Sequence, residues 1–266
     1  MMRKMGEGSS TVTLAAAQFE PRPGAMRWNI SQALDLASRA GVRGADLVVL
    51  PELVTTGYYM GEGFLRMAEP RDGSTVALVH EMARRYGYHV VLGLAERGDG
   101  GRVHDSSLLV GPGGLRAVYR KVHLWDTEKD VFTPGDRVVA PDTGPPLGRV
   151  GLLVCYDLEF PDTADRVVAA GASLIAAPAA FTDLTLWRAT LGARARDLGV
   201  PVVAANRTGQ EMGTGFCGHS AVVDAGGTVL AEAGDGPGLV MAEVEVGVGK
   251  GGRPARDPRL IHPEFG

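Results

Sequence analysis

The apolar pattern of this chain runs through the same series twice. In the first pass, strand-like runs at Val12–Phe19 and Leu47–Leu50 flank a helical stretch with apolar positions at Ile30, Ala33, Leu34 and Ala37. A second helix over Thr75–Tyr86, with Val76, Val79, Met82 and Ala83 on one face, leads into a strand at His89–Ala95. A hairpin follows, pairing Ser106–Val110 with Leu115–Tyr119 across Pro112-Gly-Gly114. The second pass gives strand Val150–Cys155, helix Ala164–Ala170, strand Ser173–Ala177, helix Leu186–Leu198 and strand Val200–Ala205, then a hairpin of Ser220–Val223 with Thr228–Ala231. The two hairpins align without a gap, Ser107-Leu-Leu-Val beside Ser220-Ala-Val-Val and Gly113-Gly114 beside Gly226-Gly227. With one residue of slip, Gly87-Tyr-His-Val-Val-Leu lies beside Gly199-Val-Pro-Val-Val-Ala, and Pro51 and Pro178 each end the second strand of their half. A period of roughly 110–140 residues is too long for a solenoid and reads as an internal duplication.

Each half is then expected to supply a sheet with helices on its outer face. The two sheets pack face to face in a four-layer α-β-β-α sandwich of the α/β class. Strand runs such as Val-Val-Leu and Leu-Leu-Val lack polar alternation, as sheets covered on both faces require. No Gly/Ser/Pro linker divides the halves, so residues 11–246 are expected to form one domain. Residues 1–10 read as a loose, disordered extension with charge but no apolar stretch behind it, unlike a signal peptide. Residues 247–266, Gly-rich and then basic and Pro-rich, read as a tail lying on a surface or a neighbouring subunit.

Bulk properties exclude several roles. A formal net charge of -4 argues against nucleic acid or an anionic membrane as the main partner. No apolar run reaches the roughly 20 residues that cross a bilayer. Two cysteines, Cys155 and Cys217, make no disulfide framework, which fits a reducing cytoplasm. The six histidines lack metal-ligand spacing, and no strand–G-x-G-x-x-G–helix unit points to a nucleotide.

In open parallel sheets, ligands gather outside the carboxyl ends of the strands. Three reactive or ionisable residues occupy such ends: Glu52 after Leu47-Val-Val-Leu-Pro51, Lys121 after the first hairpin, and Cys155 where an apolar run stops at a polar turn. Alone, each has an ordinary reading, a solvated charge or a small apolar residue finishing a strand. Together they form a coherent set for attack on an amide: a thiol nucleophile, a carboxylate base and a fixed cation.

The surrounding segments resemble the nitrilase superfamily of carbon–nitrogen hydrolases. Leu50-Pro-Glu52-Leu with Thr56-Gly-Tyr58, Tyr119-Arg-Lys121-Val-His-Leu, and Cys155-Tyr-Asp-Leu-Glu-Phe-Pro161 are similar to its three signature segments. Ala16-Ala-Gln-Phe19, Phe132-Thr-Pro-Gly135, Ala205-Asn-Arg207 and Gly218-His-Ser220 follow in family order, from about residue 12 to 245. The resemblance implies the sandwich fold and a Glu–Lys–Cys constellation with no metal or organic cofactor. Glu52 would be the base, Cys155 the nucleophile forming a thioester, and Lys121 with the backbone N–H of Tyr156 the oxyanion donors. Glu128 is the best match to a second family glutamate that positions substrate, with Asp126 close by. Tyr58, Trp125, Tyr156, Phe181 and Trp187 are the aromatics nearest these motifs; Tyr58, Trp125 and Phe181, just after strand ends, and Tyr156 are the substrate-pocket candidates.

Tyr156-Asp157 after the cysteine is the pattern of the amidase and carbamoylase branches, where true nitrilases usually carry Trp-Glu. Hydrolysis of a small amide to carboxylate and ammonia is therefore the leading expectation, with carbamoylase or nitrilase action, or non-catalytic metabolite binding, as alternatives. Glu159 stands where amidases of acidic substrates often show Arg, which suits a neutral or amine-bearing substrate. Two positions depart from the family: Leu198 where Asn is usual, and Asp105 where Asn is usual before the first hairpin. His123 and His219 invite a Cys–His reading, although the family uses neither position as a base. Water is the second reactant, and a homodimer or higher homo-oligomer is implied by the resemblance.

Overall fold

A computed structural model describes residues 9–247. In the first half, β1 (Ser9–Gln18), β2 (Leu47–Val49) and β3 (His89–Arg97) are parallel neighbours, extended antiparallel by β4 (Val103–Gly111) and β5 (Gly114–Arg120). In the second half, β6 (Val150–Leu152), β7 (Leu174–Ala179) and β8 (Val202–Asn206) repeat the parallel set, and β11 (Ala221–Val223) and β12 (Val229–Glu232) repeat the antiparallel pair. The helices α1 (Met26–Val42) and α3 (Ser74–Tyr86) cover one sheet, and α4 (Pro161–Ala169) and α5 (Leu184–Leu198) the other. The short α2 (Gly63–Met67) lies beside β3.

Strand parity sorts the layers. Val12, Leu14 and Ala16 of β1, with Leu47 and Val49 of β2, face the second sheet, whereas Ala15, Ala17, Val48 and Leu50 face the helices. Side chains on both faces are apolar, so the runs read as continuous rather than alternating. On α1 the buried stripe is Asn29, Ala33, Leu36, Ala37 and Ala40, rotated from the expected one; Ile30 and Leu34 are half-buried. Asn29 tolerates burial because its side chain bonds the backbone of Arg22 and Thr55.

Three features differ from the sequence reading. A ten-residue partner strand, β13 (Gly238–Gly247), leaves the second half and pairs antiparallel with all of β1 in the first sheet. Its Val244 and Val246 face the intersheet core, so the Glu243-Val-Glu-Val246 alternation was the signal. That pairing also draws Ser9, Ser10 and Gly247 into the sheet, moving the domain boundaries outward; residues 1–8 and 248–266 lie outside the described part. A hairpin of β9 (Thr208–Glu211) and β10 (Thr214–Cys217) is inserted between β8 and β11. It turns at Met212 and Gly213, both with positive φ, as a tight two-residue hairpin demands, but Met is a poor sequence cue for such a turn. The strand expected at Val150–Cys155 stops at Leu152, and Cys155 opens a 3-10 turn. Among the described residues, no helix is long and apolar enough to cross a membrane.

Candidate active site

Three chain segments bring the strand-end residues together at the seam between the sheets. Beyond β2, the turn Pro51–Val54 carries Glu52, with Leu53 at φ 47 and the Val54 N–H donating to Gly93. Gly93 of β3 has to be glycine: a Cβ there would sit 2.3 Å from the Pro51 carbonyl oxygen and 2.6 Å from Glu52 Cα. Lys121 follows β5. Its N–H donates to the Asp105 carbonyl and its own carbonyl accepts from Gly135, where a Cβ would strike Arg120, so the Phe132-Thr-Pro-Gly135 segment holds the lysine backbone.

Cys155 has φ 45, a left-handed conformation that a cysteine adopts only under constraint. Asp157 supplies that constraint. Its buried carboxylate accepts from Val154 N, Tyr119 Oη, His123 N and His123 Nδ1, tying the 3-10 turn Cys155–Glu159 to β5 and the segment beyond it. The Arg194 Nε of α5 donates to the Leu158 carbonyl from the other side. The thiol accepts from Ala180 N at 3.4 Å, and Cys155 is 7% exposed.

The Lys121 Nζ lies 2.7 Å from Glu52 Oε1, 2.7 Å from Glu128 Oε1 and 3.5 Å from Asp105 Oδ2, all fully or nearly buried. Glu128 also accepts from Tyr58 Oη at 2.5 Å and, through Oε2, from Trp125 N at 2.9 Å. Burial disfavours the ammonium, but Glu52 and Glu128 outweigh it and hold the Lys121 pKa well above the ordinary lysine value. Burial, then the charge of Glu52, pushes the Cys155 thiol up; Lys121 pulls the other way without prevailing. Cys155 is therefore held as a thiol at rest, and a role as nucleophile would require the loss of that proton. Burial likewise raises the Tyr58 phenol, which stays a neutral donor to Glu128.

The oxygens of Glu52, Asp105 and Glu128 lie close enough to hold a metal ion. Lys121 sits among them as their cation, so the cluster reads as an ammonium cage. One ammonium does not balance three buried carboxylates. Burial and the neighbouring Glu52 raise the Asp105 pKa well above the carboxylate range, and burial raises Glu128 as well, so the coupled carboxyls retain a proton, with Asp105 its favoured holder. Both Asp105 oxygens and Glu52 Oε2 lack other partners among the described residues.

A cavity of about 110 Å³ opens onto Cys155, lined by Tyr58, Trp125, Tyr156 and Phe181, with Glu159 and Asp183. The expected pocket aromatics all reach it, and Trp187 is fully buried against Phe181. The histidines do not reach it: His123 stacks on Phe160 at 3.7 Å while bonding Asp157, and His219 bonds Asp235. The positioning residues beneath this wall had no assigned role in the sequence. Asn206 brackets Phe181 with two backbone hydrogen bonds. Glu211 accepts from Tyr58 N and Tyr59 N and pairs with buried Arg207, so the inserted hairpin clamps the turn that presents Tyr58.

Comparison with known proteins gives the family of the chain. Residues 13–250 match the family model described as carbon-nitrogen hydrolase. The chain is 38% identical to an (R)-stereoselective amidase of a Pseudomonas species over 82% of this chain and 79% of that protein. It is 37% identical to a nitrilase of Pyrococcus abyssi over 89% and 88%. The crystal structure of an amidase from a Nesterenkonia species superposes with a TM-score of 0.80 at 31% identity, covering 87% of this chain and 89% of that one. A variant of that amidase shows acrylamide joined by Michael addition to its active-site cysteine. The chain belongs to the carbon-nitrogen hydrolase family of the nitrilase superfamily.

Proposed function

We propose that this enzyme hydrolyses a small amide to a carboxylate and ammonia through a thioester on Cys155. The observation that carries the reading is the Lys121 ammonium held at 2.7 Å by both Glu52 and Glu128, with its charge and that of Glu52 acting on the Cys155 thiol. Glu52 takes the thiol proton as Sγ attacks the amide carbon. The oxyanion that forms is stabilised by Lys121 and by the Tyr156 N–H, which precedes the first hydrogen bond inside the 3-10 turn, from Asp157 N to Val154 O. Collapse of the adduct breaks the C–N bond, and Glu52 returns the proton to the leaving ammonia. Glu52 then takes a proton from water, whose oxygen attacks the thioester and frees the acid and the thiol. Lysine suits its place because it is a compact charge that keeps its protons throughout.

The test is ammonia release from a panel of small amides, N-carbamoyl compounds and nitriles, with intact mass read in parallel. Amide turnover, together with an acyl adduct that accumulates on Cys155 in Glu52→Gln, supports the reading. A panel-wide lack of ammonia and of adduct would leave a binding protein. Faster release from nitriles or N-carbamoyl compounds would move the activity to those classes. Loss of activity in His123→Asn with retention in Lys121→Met would indicate Cys–His chemistry instead.

A further inference from the structure

The cavity over Cys155 carries charge of one sign only. Glu159 and Asp183 are the ionisable carboxylates in its lining, and no Lys, Arg or His is among the lining residues. Asp183 has a structural task, since its Oδ1 accepts from Leu186 N and caps α5. Glu159 has none: it is half-buried, with no hydrogen bond or ion pair among the described residues, and burial raises its pKa with nothing to offset it. A half-buried carboxylate without a partner is costly to keep unless something else supplies the opposite charge. Around it stand π faces, with Trp125 40% exposed at the cavity and Tyr156 lining it edge-on to Phe160.

We propose that the substrate is a short amide bearing an amine cation, its ammonium seated between Glu159 and the rings of Trp125 and Tyr156 while its carbonyl meets Cys155. This rests on the amide hydrolysis set out above and adds the substrate class. Opposite charge and aromatic faces both favour such a group, and a cation over an exposed ring gains roughly 0.5–1 kcal/mol before the carboxylate is counted. A substrate bearing a carboxylate meets two like charges and no cation, an arrangement that discriminates by repulsion. Spacing follows from the turn: Cys155 and Glu159 are the first and last residues of one five-residue 3-10 turn and line the same cavity, a short gap apart. A few bonds between the amide and the amine span that gap.

The experiment compares kcat/KM for ammonia release from 4-aminobutanamide, pentanamide and succinamate, near-isosteric amides of positive, zero and negative charge, with the full chain at low ionic strength. The cationic amide is expected to exceed the anionic one by roughly tenfold or more, and glycinamide, with its shorter spacing, to fall behind 4-aminobutanamide. Glu159→Gln should shrink the cationic-to-neutral ratio roughly three- to tenfold, and Glu159→Arg should reverse the order of the charged pair. In the wild type, raising NaCl to 0.5 M should shrink the same ratio, a readout that needs no variant to fold. Equal turnover of all three, or faster turnover of succinamate, overturns the substrate class while leaving amide hydrolysis standing. Absence of ammonia from all three, with no acyl adduct on Cys155, overturns both.

Discussion

The two halves of this protein share a framework and divide the chemistry. β1 to β5 have the same neighbours and directions as β6, β7, β8, β11 and β12. At equivalent strand ends the residues diverge. The turn beyond β2 reads Pro51-Glu52, whereas Pro178-Ala179 are the last residues of β7 itself; the Glu52 N–H donates to the Ala179 carbonyl at 3.5 Å, so the two strand ends meet. Lys121 follows β5, whereas buried Ala233 follows β12. Cys155 comes from the second half alone. A duplicated scaffold therefore places two similar sets of strand ends face to face, and function arises from loading them unequally: carboxylates and ammonium on one side, thiol on the other.

Removing the second half's contribution should have the largest effect. Cys155→Ala is expected to lower kcat by about 10⁵-fold or more, as loss of a nucleophile does. Cys217→Ala should retain activity within about threefold, because Cys217 does not line the cavity and its sulfur meets the Asn206 side chain and the Gly218 carbonyl. Steady-state ammonia release checks both, and comparable losses in the two variants would break the assignment of the nucleophile. Next comes Glu52→Ala, which makes the Pro51-Glu52 segment read Pro-Ala, as the end of β7 does. A decrease of about 10²–10⁴-fold in kcat is expected for loss of a general base, with circular dichroism to confirm folding. A change confined to KM would mean that Glu52 only binds substrate.

Gly93→Ala sharpens the comparison at the backbone. The internal repeat sets Gly93 beside Ala205, which is fully buried and tolerated in the second half. In the first half the same methyl would lie 2.3 Å from the Pro51 carbonyl oxygen, so the turn bearing Glu52 has to move. A loss of roughly tenfold to a hundredfold in kcat is expected, since a displacement near 1 Å costs that much. Unchanged kcat would show that the Glu52 turn has slack.

The framework was legible because buried parallel strands leave apolar runs and because the repeat can be aligned with itself. Glu52, Lys121 and Cys155 were legible as charged or reactive residues interrupting those runs at strand ends. What escaped the sequence is second-order: Asp157 bracing the Cys155 turn, Glu211 clamping the Tyr58 turn from 153 residues away, and the rotation of the α1 stripe around buried Asn29. Such partners are chosen by three-dimensional proximity, and an Asp or Glu in a polar stretch carries no local mark of burial. β13 escaped for a different reason, its outward-facing glutamates making a paired strand look like solvated chain.

Asp105 tests the smallest asymmetry. Its counterpart in the repeat is Gly218, so only the first half buries a third carboxyl beside Lys121. With its folded pKa raised well above the ordinary 3.8, Asp105 holds a proton that the unfolded chain releases. The stability it contributes is full below that ordinary value and is lost as pH rises through the folded pKa. Asparagine has the shape of the neutral acid and an N–H donor to offer the neighbouring Glu52 carboxylate in place of the acid proton, yet does not titrate. Asp105→Asn is therefore expected to keep kcat within about threefold at neutral pH, in line with a substitution that preserves one hydrogen bond. The alkaline limb of its kcat/KM profile should shift to higher pH. Its Tm, relative to wild type, should climb as pH rises from 5 to 9, because only the wild type loses stability on that path. Asp105→Ala, which removes the donor altogether, should lower kcat more than Asp105→Asn does. A pH profile and Tm difference that stay flat in Asp105→Asn would mean that Asp105 is ionised at rest and that Lys121 neutralises the whole cage.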